Sequence, residues 1–289
     1  MKAIFASAVA LFCLSLPLQA QELTEDEQTW AMDFAMHDAI YSVYHEIGHM
    51  LSFEFDLPVL GRQEDAADSL AVLMMLTDPD DQDAANVALV DAADGWWASA
   101  VNKDDVGVFN YSFGVHSLDI ERAFAMVCLM VGKDPEWFKE AAEFYELNQD
   151  QIDGCAGTYY DVERSWTQLL EPHLIKPGEE TKIEVVYDDP GEYEYIAEQL
   201  KDRQILEEAA ERIRTTYAMP YATVFRAKQC GEANAYYSYR DSELTYCYEM
   251  AEEMIWRYAN TFSESINAEE AALSADEEYV EDAEAVEEE

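Results

Sequence analysis

Basic residues are scarce in this chain: 17 Lys and Arg stand against 62 Asp and Glu, and only five histidines occur in 289 residues. The net charge of −45 repels nucleic-acid phosphates and anionic membrane surfaces, which argues against nucleic-acid binding. After the first twenty residues no run offers the ~18 uncharged apolar residues that a spanning helix needs, so no stable membrane insertion is expected. No CxxC pair is present, which removes the usual cysteine-based zinc sites, and no internal repeat is visible. Apolar residues are not lacking. At 49% hydrophobic and 12% aromatic, the chain has enough of them for a real core.

The first twenty residues join Lys2, an apolar run from Ala3 to Leu16 and a small-residue end at Leu18-Gln19-Ala20. This is the layout of a cleaved signal peptide, so the mature chain is expected to start at Gln21 and to be secreted or periplasmic. Cys13 leaves with the leader, and Cys128, Cys155, Cys230 and Cys247 remain. An even count in an exported chain favours disulfides. Cys128–Cys155 with Cys230–Cys247 is the cheapest pairing in loop closure, although three connectivities are possible. From about Ala268 the chain is Glu-, Asp- and Ala-rich with little to bury, and 263–289 reads as an acidic disordered tail.

Thr24 and Glu27 form a capping-box pattern, and Trp30, Phe34, Tyr41, Tyr44, Ile47 and Leu51 recur at helical spacing, which predicts one helix to about Glu54. A turn containing Pro58 and Gly61 separates it from a second helix over Glu64–Leu76. Further helices are predicted at Asp83–Val101, Leu118–Val131, Pro135–Leu147 and Val162–His173. The texture changes near Lys176. Thr181–Tyr187 reads as a strand, Tyr193–Tyr217 as a charged amphipathic helix, Ala222–Ala227 and Ala235–Tyr239 as strands, and Leu244–Phe262 as a last helix.

The chemistry concentrates in His45-Glu46-Ile47-Gly48-His49. Histidines four apart on a helix leave the same face one turn apart and can bind one zinc ion, Zn2+, at ~2.0–2.1 Å. Glu46 can then reach a water at the metal as general base. A His-His site needs a third protein ligand, and the next helix offers Glu64, with Asp68 one turn later to accept the free ring N–H of a ligand histidine. Gly48 and the pair Ala66-Ala67 let the two helices approach closely. Two surface histidines on an acidic helix is the competing reading of the motif alone.

HExxH followed by a helix carrying ExxxD resembles the gluzincin metallopeptidases. More narrowly, Tyr44–His49 with Leu57–Asp68, together with His116-Ser117-Leu118-Asp119, Arg122, Cys128 to Pro135 and Cys230–Glu249, is similar to a family of exported bacterial metallopeptidases. The resemblance covers most of the mature chain. It implies a mainly α, α+β domain of zincin type whose small β-sheet comes from the C-terminal segment, and it implies a peptide or protein substrate. It also implies that the Cys230–Glu249 block ordinarily precedes the HExxH helix. A circular permutation is therefore expected, with 21–262 forming a single domain in which 176–262 folds back onto the helical part, 21–175.

His116 is a candidate donor to the oxyanion formed in amide hydrolysis, with Tyr236 and Tyr237 as rivals. Arg122 is expected to be structural, paired with Asp119 or Glu121, with a substrate-carboxylate clamp as the alternative, while His37 and His173 are not expected to be ligands. Trp96-Trp97 reads as packing. Two further functions stand beside zinc-dependent peptide hydrolysis. One is a non-catalytic zinc-containing envelope binding module, and the other is hydrolysis of a cell-wall peptide amide.

Overall fold

The structure is a computed structural model that describes residues 23–78, 81–102 and 117–263. The leader, His116 and the acidic tail lie outside the described residues.

The chain is mainly helical. Helix α1 spans Glu25–Glu54 and opens with the expected capping box, in which Thr24 and Glu27 satisfy each other's backbone N–H. It is buried along most of its length because α2 (Gln63–Met75), α3 (Gln82–Asn102) and the sheet all pack against it. Buried on nearly every side, it lies in the middle of the domain, and polar residues such as Asp38, His45 and Glu46 are buried with it. Next come α4 (Asp119–Lys133), the short α5 (Lys139–Phe144) and α6 (Gln149–Leu170), which continues into a 3₁₀ turn, Glu171–His173. Beyond it lie β1 (Ile183–Tyr187), α7 (Glu194–Asp202), α8 (Ile205–Thr216), β2 (Thr223–Lys228), β3 (Ala235–Ser238), β4 (Glu243–Cys247) and α9 (Tyr248–Phe262).

Several boundaries differ from those expected. Helix α6 starts at Gln149 rather than Val162, because Asn148 and Gln151 form a capping box and the disulfide Cys128–Cys155 fastens this stretch to α4 despite Gly154 and Gly157. The helix expected over Pro135–Leu147 shrinks to Lys139–Phe144 after a turn. The helix expected over Tyr193–Tyr217 is broken at Gln204, whose φ of 52° is left-handed, and Arg203 beside the break donates to Asp33 on α1 at 2.6 Å. Leu244–Cys247 is a strand and not the start of a helix, since Leu-Thr-Tyr-Cys favours extended backbone and fills the sheet centre.

The sheet order is β1-β2-β4-β3. Strands β1, β2 and β4 are parallel, with Val185 opposite Phe225 and Phe225 opposite Leu244. Strand β3 runs antiparallel along β4, Tyr237 opposite Leu244, and forms the edge beside α1. The second disulfide, Cys230–Cys247, closes the connection between β2 and β4 around β3. One hydrophobic cluster runs through both parts of the chain, from Phe34, Tyr41 and Ile47 through Leu70, Val127 and Tyr159 to Phe225, Leu244 and Tyr248. No helix among the described residues is long and apolar enough to cross a membrane.

Candidate metal centre

Tyr41, His45, His49 and Phe53 stand four apart on α1 and so form one stripe along it, facing α2 and the sheet edge. Gly48 lies next to this stripe. A Cβ there would meet the backbone of Ala67 on α2 at 2.9 Å, so glycine is what allows the two helices this spacing. The close approach carries Glu64 to the histidines.

His45 Nε2 and His49 Nε2 are 3.1 Å apart, and Glu64 Oε2 lies 3.3 Å from each. Three ligand atoms ~2.0–2.1 Å from one tetrahedral zinc ion must stand roughly 3.3 Å apart, so a triangle of this size fits such an ion. The donors are also the right kind: two imidazole nitrogens and one carboxylate oxygen, all on shielded side chains.

Asp68 is the hub behind the ligands. Its Oδ1 accepts from His45 Nδ1, Tyr41 Oη and Arg122 Nη2, each at 2.6 Å, and its Oδ2 accepts from Arg122 Nε at 2.7 Å. With the His45 proton on Nδ1, Nε2 turns its lone pair toward His49 and Glu64. The Arg122 guanidinium lies 3.5 Å from the centre of the Trp96 ring and is only 6% exposed. The expected pairing of Arg122 with Asp119 or Glu121 is therefore corrected: Asp119 accepts from Ser99 instead, at 2.6 Å, and Glu121 caps the backbone of Leu118. Trp96 is likewise more than packing, because it lines the cleft and covers Arg122.

Opposite charges face one another at this point. Burial works against charge on His45, yet its hydrogen bonds to the Asp68 and Glu64 carboxylates outweigh it and raise the pKa to about 9. Burial likewise opposes ionisation of Glu64 and Asp68, but His45 holds both well below the usual carboxylate range, with His49 assisting at Glu64 and Arg122 at Asp68. Glu46 behaves differently. Its Oε1 is 3.9 Å from His45 Nε2, outside the donor triangle, and burial raises its pKa despite the two histidines. The backbone of Tyr237 on β3 hydrogen-bonds its carboxylate. A carboxylate held nearby, uncoordinated and more basic than usual, is placed to exchange a proton.

The remaining expectations fall out unevenly. His116 lies outside the described residues; its neighbour Ser117 bridges Arg62 and Asp65 with two 2.6 Å hydrogen bonds. Both Tyr236 and Tyr237 line the cleft; the Tyr237 hydroxyl donates to Glu54 at 2.5 Å, and the Tyr236 side chain hydrogen-bonds with Lys228. His37 pairs with Asp91 and His173 stacks on Phe55, both away from the triangle. Among the described residues a second ligand-like group, Cys230, Cys247 and Glu249, is already engaged: the cysteines are bonded to each other, and Glu249 accepts from the backbone N–H of Cys230 and Gly231. A cavity of about 630 Å³ opens over the triangle between α1, α3 and β3.

A helix bearing HExxH, a neighbouring helix supplying a glutamate and an aspartate, and a sheet edge closing the far side make up a metallopeptidase-like domain. The chain belongs to the family DUF4344, described as "putative metallopeptidase", whose profile matches residues 11–170 and 187–285. No curated protein and no solved structure matches it.

Proposed function

We propose that this protein is an exported, zinc-dependent peptidase in which His45, His49 and Glu64 hold the metal and Glu46 is the general base. The observation that carries the reading is the donor triangle with an uncoordinated, basic Glu46 beside it, since a purely structural zinc site has no use for such a carboxylate. Bound there, zinc would supply Lewis acidity, polarising the scissile carbonyl and making an adjacent water acidic, with a pKa near ~7.

The chain's own residues do the rest. Asp68 fixes the tautomer of His45, and Tyr41 and Arg122 fix Asp68. Glu46 takes the proton of the attacking water and returns it to the leaving amine. Tyr236, on the opposite wall, and His116 are the candidate donors to the developing oxyanion. Two disulfides suit an extracellular or periplasmic location, in keeping with the leader-like first twenty residues. The same proposal treats 21–262 as one domain of permuted segment order; the shared hydrophobic cluster and the seating of β3 against α1 support the single domain.

The test is Glu46→Gln. Peptide hydrolysis falls by at least about 10²-fold while the metal stays bound. Undiminished turnover removes Glu46 from the mechanism. A wild type that binds zinc and cleaves nothing in a peptide library favours the binding-module reading.

A further inference from the structure

We infer that Phe53 and Tyr239 form an aromatic ledge that receives an aromatic or long apolar side chain of the substrate next to the scissile bond. The inference rests on the peptidase reading and adds the substrate class to it. Phe53 is one turn past His49 on the stripe that carries both histidines, so it is the next side chain after the metal ligands along the cleft. Tyr239 follows edge strand β3, the opposite wall. Their ring centroids are 4.8 Å apart, and both line the cavity that contains Glu46 and Glu64.

The pair is held in place by its surroundings. The adjacent Tyr237-to-Glu54 hydrogen bond ties the same strand to the same turn of α1, so the ledge is formed before any ligand arrives. Even so, stacking leaves Phe53 50% and Tyr239 61% exposed. Two large aromatic faces left in water beside a catalytic centre gain free energy when a side chain covers them. Met250 and Tyr236 extend the same apolar lining.

Charge narrows the class further. The lining contains Glu46 and Glu64, and its one Lys or Arg among the described residues is Arg122, whose guanidinium is taken up by both oxygens of Asp68. Away from the histidines and the metal they would hold, no Lys or Arg of the lining is left to compensate an acidic substrate side chain, and a chain of net charge −45 repels one. The substrate is thus a peptide with an aromatic or long apolar residue at the cleavage point and neutral or basic neighbours.

The test uses blocked, fluorescent peptides identical except for Phe, Ala or Glu at the positions flanking the central bond. Binding is measured by anisotropy to zinc-loaded Glu46→Gln protein. The Phe peptide binds roughly tenfold tighter than the Ala peptide, and the Glu peptide more weakly still. Adding Phe53→Ala or Tyr239→Ala brings the Phe-to-Ala ratio toward one, with zinc content and melting temperature close to those of the parent. Equal binding of all three peptides, or a ratio indifferent to both ledge variants, overturns the inference. Turnover by the unaltered enzyme is read separately. Preferential binding without cleavage by that enzyme defeats the peptidase reading and leaves the ledge standing; cleavage without preference does the reverse.

Discussion

Asp68 accepts four hydrogen bonds from three side chains, and this concentration decides what the metal ligands can do. A bidentate Arg122 matches both carboxylate oxygens with its planar fork, which a lysine ammonium cannot reproduce. Arg122→Lys is therefore expected to weaken zinc binding by about 10–100-fold, measured by competition with a chromogenic chelator, even though the charge is kept. Unchanged affinity means Arg122 does not act through Asp68. The candidate donors are legible in the sequence because the imidazoles share one helical turn and Glu64 stands at the start of the next helix. Tyr41 has a signal too, since it stands four residues before His45, but its spacing by itself marks only a helix. Arg122 and Trp96 had none: Arg122 reaches Asp68 across 54 positions of chain, a separation that only the fold closes.

Helix packing sets the ligand geometry. At Gly48 an added methyl would strike Ala67 Cα and O at 2.9 and 3.0 Å, and these are backbone atoms that cannot rotate aside. Alanine gains about 1 kcal/mol of helix propensity over glycine, whereas overpacking at a rigid contact costs about 1–3 kcal/mol. Gly48→Ala is expected to lose up to about 2 kcal/mol of stability net and to weaken zinc binding as α2 moves off with Glu64. A thermal melt with and without zinc checks this; equal melting of variant and wild type in both conditions shows that the contact has slack. Most helices could be read from apolar spacing and caps. Strand β4 could not, because Leu244–Cys247 runs into α9 without a breaker, and its central place depends on β2 and β3. The first half of α6 hid behind Gly154 and Gly157, and a disulfide holds it to α4.

Across the whole molecule, the C-terminal part supplies what the first helices lack. Edge strand β3 closes the cleft over α1, its Tyr237 backbone steadies Glu46, and β4 pairs with its other edge. The change of texture near Lys176 marks where the helical part ends and the sheet begins, while one hydrophobic cluster runs across it. Local spacing cannot reveal such long-range closure. The charge of −45 surrounds the donor triangle, so a cation bound there would sit inside a field that also attracts it. The decisive measurement is elemental analysis of the chain, purified without added metal and dialysed, beside a Glu64→Ala variant that keeps both histidines. About one zinc per wild-type chain, and a large loss in Glu64→Ala, is the result predicted from the donor set. Equal zinc in the two proteins, or none in the wild type after zinc is supplied, contradicts it.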